Sequence, residues 1–379
     1  MGFIKLENGS LGIPSSDKKI IRDLHSLQRK EIVKNNSSFI AAKFPALEQY
    51  FGSGDEIAPE KISPILQRIS SDTWESNLFR LASLSWSVPV SHGFGRRMRY
   101  LVWDQYHGKL MGLIAIGDPV FNLSVRDNFI GWNTKDRADR LVNILDAYVL
   151  GAIPPYNMLL GGKLVASLLR TRELYVDFRK QYGKSTGIIS GKDKFARLLA
   201  ITTSSSMGRS SVYNRLRLEG KDYLTSLGYS RGWGHFHIPD NIFSEMREYL
   251  RSIQHPYADL HQFGDGPNWR LRTARAALDS LGFREDILKH GIGREVFICT
   301  LAANAIKILE TGRGKPDISC LLNVEEVSAL ALQRWIVPRS INRSEYRLWK
   351  SDQMKDLILK PPILQNVNHP LITHAIAGA

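Results

Sequence analysis

The stretch LDAYVLGAIPPYNMLLGGKLVASLL, Leu145 to Leu169, decides how the fold is read. Leu145 to Ile153 reads as a strand, and Pro154-Pro155-Tyr156-Asn157 as a loop. Gly161-Gly162-Lys163 then opens a helix through Leu164, Val165, Leu168 and Leu169, expected to run to about Tyr182. Strand, loop, Gly-Gly and helix is the order of a phosphate cradle. There, backbone N–H groups at a helix N-terminus donate to negative oxygens, glycines allow close approach, and Lys163 adds charge. The same order serves a tight strand-to-helix turn that needs glycine only for packing. A Walker A loop is absent, and Gly161-Gly162 lacks the third glycine of a dinucleotide fingerprint.

Outward from this stretch, the pattern on both sides is that of a sheet. Met98, Tyr100 and Val102 alternate with Arg97, Arg99, Leu101 and Trp103; His107-Gly108-Lys109 turns the chain, and Leu110 to Gly117 returns. Downstream, Leu198 to Thr202 reads as a buried strand, Ser204 to Arg209 as a loop and Ser211 to Leu216 as the start of a short helix. Leu227-Gly228-Tyr229 and His235 to Ile238 are the last strand pieces expected. Residues 16–34 predict an amphipathic helix capped by Ser16, with Ile20, Leu24, Leu27 and Ile32 on one face. Ile62, Ile65 and Ile69, and then Trp74, Leu78, Leu81 and Leu84, predict two more helices. From Ile242 the chain reads as mostly helical, apart from a strand at Val296 to Cys299 and the helix from Ala302 to Leu309 that follows it. The expected class is mixed α/β (α+β): a sheet core over 93–241 between a helical region, 1–92, and a helix-rich region, 242–379.

Composition bounds the function. The 379 residues carry 51 Lys+Arg against 37 Asp+Glu, a net charge of +14, and 43% are hydrophobic. That is enough apolar material for two or three structural units and excludes a disordered chain. The charge will attract polyanions: nucleic acid, an acidic partner or an anionic membrane surface. Cys299 and Cys320 are the two cysteines, with no Cys-x-x-Cys spacing, so a disulfide framework and a thiolate zinc site are excluded. Met1 to Asn8 has no apolar core of a secretory signal, and Leu6 stands where myristoylation wants Ser or Thr. Leu141 to Gly162 is broken by Asp146 and Pro154-Pro155 and cannot be a membrane span. A cytoplasmic protein without a membrane partner is expected.

Several residues are candidates for chemistry. Gly208, Arg209, Ser210 and Ser211 could hold a phosphate through backbone donors, hydroxyls and a guanidinium, or could simply cap the helix that follows. This loop and the Gly161 loop are expected at the same end of neighbouring strands, where open α/β sheets bind ligands. His235 and His237 at i and i+2 would share a strand face, but no third metal ligand is near in sequence, and packing histidines are the plainer reading. His290, in a glycine-flexed turn, is weighed likewise. Trp269, Arg270, Arg272 and Arg275 place aromatic and basic groups on one helix whose apolar face is Leu271, Ala274, Leu278 and Leu281. Together with Arg215 they suit a phosphate backbone and base stacking, and they also suit a solvated helix face. No Gly-x-Ser-x-Gly elbow and no His-Glu-x-x-His occurs, so hydrolase chemistry has no support.

Blocks in one order along the chain carry a resemblance. Arg126-Asp127-Asn128-Phe129-Ile130-Gly131-Trp132 and Pro155 to Ala166 resemble the Druantia protein A family. So do Thr202-Thr203-Ser204, Gly208 to Leu216 and Gly232-Trp233-Gly234-His235-Phe236. The resemblance implies a component of a bacterial anti-phage defence system. It implies as partners other Druantia subunits, a very large helicase-like one included, and makes DNA or RNA the polyanion to test. It brings no residue roles.

The element order is also similar to the acetyltransferase fold of the histone-acetyltransferase-like superfamily. That likeness implies an acyl-CoA pyrophosphate on Gly161, Gly162 and Lys163, a general acid at Tyr213 and a base at His235 or His237. The pattern departs from the superfamily's Arg/Gln-x-x-Gly-x-Gly/Ala. Ending it at Gly162 puts Asn157 first and Leu160 at the first glycine; ending it at Lys163 puts Met158 first. Acyl-CoA-dependent acyltransfer is therefore the alternative to a nucleic-acid-contacting defence subunit.

Overall fold

The computed structural model describes residues 4–5, 11–12, 17–90, 95–186, 193–235, 237–259, 269–283 and 285–360. Seven strands form its main sheet: β1 (Pro64–Ile69), β2 (Arg97–Asp104), β3 (Lys109–Gly117), β4 (Ile144–Ala152), β5 (Ala200–Ser204), β6 (Thr225–Tyr229) and β7 (Glu295–Thr300). Their order is β6-β7-β5-β4-β3-β2-β1. Every neighbouring pair is antiparallel except β4 and β5, which run parallel. The expected β2–β3 hairpin forms, with Met98 opposite Ile116 and Tyr100 opposite Ile114. β3 reads as one continuous apolar run because both of its faces are covered: Leu110, Met111, Leu113, Ile114, Ala115 and Ile116 are all at 0% exposure.

One face of the sheet packs Tyr100, Ile114, Leu145 and Phe297 against α6 (Gly161–Ser167), α7 (Arg172–Tyr182) and α11 (Val324–Ala331). The opposite face packs Leu101, Leu113 and Val149 against α2 (Ser37–Leu47), α3 (Trp74–Ser83) and α13 (Gln353–Leu359). Farther along that face, Ile144, Ala200 and Ile298 meet the end of α4 (Ser124–Ile130) and α10 (Ala305–Thr311). Each such fully buried aliphatic side chain contributes about 1.5–3 kcal/mol. The sheet takes β1 from the first of the three expected regions and β7 from the last.

Several local expectations are corrected. The first of the two helices expected at Ile62–Leu84 is β1, while the second is α3. Ile65, Gln67 and Ile69 share a face and pair with Trp103, Leu101 and Arg99. The isoleucine spacing mimics a helical face, but pairing with β2 decides the outcome, and an edge strand tolerates Pro64 at its first residue. His235 to Ile238 is no strand: Ile238 N–H bonds the His235 carbonyl at 3.0 Å in a turn. The long helix expected from Gly161 breaks at Thr171, whose hydroxyl donates to the Leu168 carbonyl at 2.8 Å before α7 begins. α1 (Lys18–Asn35) forms, capped by Asp17 accepting from Lys19 N–H at 2.8 Å. Ser16, the expected cap, lies outside the described residues, as does Phe236.

Candidate functional site

β4 and β5 are in register only from Ile144–Ala200 to Asp146–Thr202; beyond that they part. The loops that follow them, one leading to Gly161 and the other to Ser211, therefore leave the same end of neighbouring parallel strands. Tyr213 fills the opening. Its hydroxyl donates to the Leu150 carbonyl at 3.2 Å, and its ring stands edge-on to Phe297 with centroids 5.4 Å apart. Thr203 closes the gap nearer the sheet by donating to the Ala147 carbonyl at 2.9 Å. Burial pushes the Tyr213 phenol well above its ordinary value. It is a poor proton donor at neutral pH.

Gly161 and Gly162 are buried at the start of the seven-residue helix α6, about two turns long. A Cβ at Gly161 would stand 2.6 Å from the Tyr156 carbonyl oxygen, so close packing of the loop on the helix requires glycine there. Lys163 reaches across to the second loop, donating to the Arg215 carbonyl at 3.3 Å, and its ammonium lies 5.2 Å from the Trp335 ring centroid. Burial, and then Arg215 and Arg334 nearby, lower its pKa. The structure thus brings Gly161, Gly162, Lys163, Tyr213 and Arg215 together, around a space already filled by side chains.

The second loop does bind an anion, and the anion is internal. Glu295, 5% exposed at the start of β7, accepts from Ser210 N–H at 3.2 Å, Asn214 Nδ2 at 2.7 Å and Ser226 Oγ at 2.9 Å. Ser210 Oγ caps the short turn by accepting from Tyr213 N–H at 3.1 Å. Gly208 takes φ +74°, a conformation that suits glycine, and its carbonyl accepts from Glu295 N–H at 3.2 Å. Arg209 and Ser211 are exposed beside this arrangement.

The remaining candidates lie elsewhere. His237 donates through Nε2 to the Ile287 carbonyl, 2.9 Å away, and stands edge-on to His290 with centroids 6.2 Å apart. Burial lowers His235 to about 4 and His290 to about 3, so both rings are neutral at pH 7. α9 (Trp269–Ser280) turns its first two candidates inward. Trp269 packs edge-on against Phe243 of α8 (Asp240–Ser252) at 5.2 Å. Arg270 bonds Asp240 at 2.6 Å and the Ile238 carbonyl at 2.9 Å while lying over Phe243. Arg272 and Arg275 are exposed. Leu281, expected on the apolar face, is 47% exposed; the buried face is Thr273, Ala274, Ala276, Ala277 and Leu278.

The block Arg126 to Trp132 is a folded clamp. Arg126, at 0% exposure, pairs with Asp127 at 2.7 Å and bonds the Val120 and Phe121 carbonyls. Trp132 donates to the Leu309 carbonyl at 2.6 Å, joining α4 to α10. The family model described as Druantia protein DruA matches residues 15–311, which include this clamp, both loops and every candidate residue. The chain belongs to the Druantia protein DruA family.

A curated DruA, Druantia protein DruA of Escherichia coli (strain UMEA 4076-1), is 61% identical over 358 residues, covering 94% of this chain and 89% of the relative. No solved structure matches. Membership makes the chain a component of Druantia anti-phage defence. Beyond the span matched by the DruA model, α13 returns to the core through the buried Met354 and Ile358. Among the described residues of this chain, no group of acids, histidines and cysteines could hold a metal. No helix among them is long and apolar enough to cross a membrane.

Sequence reasoning missed Glu295 as the partner of the second loop. It also missed a groove of about 970 Å³ whose walls include Arg29, Arg68, Arg80, Arg97 and Arg99. The alternation of Arg97 and Arg99 on β2 was the one local sign of that groove.

Proposed function

We propose that this DruA-family protein serves Druantia defence as a cytoplasmic subunit that contacts nucleic acid and other subunits of the system, a large helicase-like one among them. The carrying observation is the net charge of +14 in a chain whose interior anion loop is already filled by its own carboxylate. The excess cations are then available at the surface, where polyanions meet them. Titrating labelled DNA and RNA with the full chain at rising salt tests this. Affinity should fall steeply, with a log–log slope of about −0.7 to −0.9 per phosphate contacted. No binding at low salt, or binding indifferent to salt, defeats the reading. Co-purification of the other subunits with a tagged chain tests the second half.

The sheet order, with its single parallel pair followed by a loop and helix, supports an acetyltransferase-like core. It favours one second reading, acyl-CoA-dependent N-acyltransfer, with Gly161, Gly162 and Lys163 on the pyrophosphate and Tyr213 as acid. The filled opening at Tyr213 favours a scaffold instead. Calorimetry with acetyl-CoA separates the two: a scaffold gives no saturable heat, and a saturable isotherm reinstates the enzyme.

A further inference from the structure

Five arginines reach one groove from four elements: Arg29 on α1, Arg68 on β1, Arg80 on α3, and Arg97 and Arg99 on β2. Two carboxylates share its walls, Asp72 and Asp240, and Asp240 is already bonded by Arg270 at 2.6 Å. Arg68 donates to the Gln181 amide oxygen at 3.0 Å, Arg99 to the Ser71 hydroxyl at 3.3 Å, and Arg80 to the Asn36 amide oxygen at 2.6 Å. All three acceptors are neutral. Among the described residues none of these three guanidiniums has a carboxylate within salt-bridge distance.

Arg29 makes the imbalance sharper. It is 3% exposed, its Nε and Nη2 donate to four backbone carbonyls, and its Nη1 has no hydrogen-bond partner. Burial lowers it to about 10, so it remains charged at pH 7, and no acid among the described residues balances it. A buried charge without a counter-ion leaves its field in the adjacent groove, where low-dielectric walls focus it.

The groove also has half-buried rings, Trp86 and Tyr148, along its walls. At about 970 Å³ it lies at the upper end of the roughly 300–1,000 Å³ usual for ligand clefts. That is room for a short run of one strand. Unpaired guanidiniums beside aromatic faces are what a sugar–phosphate chain with unstacked bases requires.

We infer that this groove binds single-stranded nucleic acid through its phosphates, with Arg68, Arg80 and Arg99 as the accessible contacts. The inference rests on the nucleic-acid reading above and adds the strand class and the surface. Arg68→Gln with Arg99→Gln removes two of these charges from positions with only neutral bonds to lose.

Fluorescence anisotropy of a labelled 20-nucleotide single strand is read against the full chain, with an unlabelled duplex and a nucleoside triphosphate as competitors. Losing two contacts should weaken binding about tenfold and make the salt slope shallower by about 1.4. Arg68→Lys with Arg99→Lys should keep the slope, and Lys307→Gln with Lys315→Gln, at exposed cations outside the groove, should leave affinity within about twofold. Thermal melts of each variant establish that it folds; should the glutamine pair melt early, Arg68→Gln alone carries the test with half the slope change. Binding by wild type that the glutamine substitutions leave unchanged overturns the groove while nucleic-acid contact stands. Preferential displacement of the strand by duplex or by the triphosphate also overturns it. If wild type binds no nucleic acid at all, the wider reading falls and takes the groove with it.

Discussion

Replacing Glu295 with Ala would leave the Ser210 N–H without its acceptor inside the fold, while Asn214 and Ser226, more exposed, would turn to water. A buried donor left unsatisfied costs about 1–3 kcal/mol, and the lost charge-assisted bonds add to that. Glu295→Ala should therefore lower stability by about 3 kcal/mol, read from the urea midpoint. Glu295→Gln, which keeps one acceptor oxygen, should cost less. Gly161→Ala places a methyl 2.6 Å from the Tyr156 carbonyl oxygen and should cost about 1–3 kcal/mol by overpacking. Both residues show what single-sequence reading reaches. Gly208, Arg209, Ser210 and Ser211 read as anion donors and Ser210 is one, but the anion lies 85 residues from Ser210, a distance no local pattern spans. At Gly161 the sequence offered two meanings of one glycine, and the close approach of Tyr156 supports the packing one.

Elements are legible where alternation, an apolar run or a turn marks them locally. The β2–β3 hairpin follows from alternation and a turn, and β4 from its apolar run before Pro154-Pro155. β1 was not legible, because an edge strand buries only part of itself: Ile65 is 37% exposed, so nothing but pairing distinguishes it from a helix. What holds β1 is Asp104 at the end of β2, itself at 0% exposure. Its carboxylate accepts from Ser63 N–H at 3.0 Å, from the Tyr156 hydroxyl at 2.9 Å and from His107 Nδ1 at 2.5 Å. One carboxylate thus ties the entrance of β1, the hairpin turn and the loop before α6. Asp104→Ala should cost about 3–5 kcal/mol, as for breaking a buried charged network. Hydrogen exchange should quicken first in β1, an edge strand freed at its start. Uniform exchange across the sheet would contradict this placement.

At the scale of the molecule, α1 ties distant parts of the chain together. Arg29 bonds carbonyls of Leu84, Trp86, Leu357 and Ile358, so the segment after α3 and the end of α13 meet on one side chain. Such convergence from four elements is why the arginine groove escaped the sequence: each arginine alone reads as a solvated cation. The same helix brings a pH response. His25, 1% exposed on α1, is lowered by burial to about 4, and His290, 4% exposed, to about 3. Arg294 adds repulsion to both. In the unfolded chain these rings titrate near 6.5, so below that pH the unfolded state binds protons that the folded state refuses. Stability is then present above about pH 6.5 and lost as the pH falls toward the folded values, by about 2 kcal/mol per histidine between pH 7 and 5. Asp146 acts oppositely. Burial raises it to about 6, so the folded state takes up its proton first and gains about 1 kcal/mol over the same interval. His235, lowered by burial to about 4 as well, adds a third such share, so the net expectation is a loss of about 5 kcal/mol from pH 7 to 5, measured as urea midpoints in buffers of matched ionic strength. His290→Gln, which cannot charge, should flatten that profile by about the share of one histidine while leaving the Asp146 contribution in place. A wild-type midpoint that holds steady or rises on acidification would mean that these rings are not buried as neutral imidazoles.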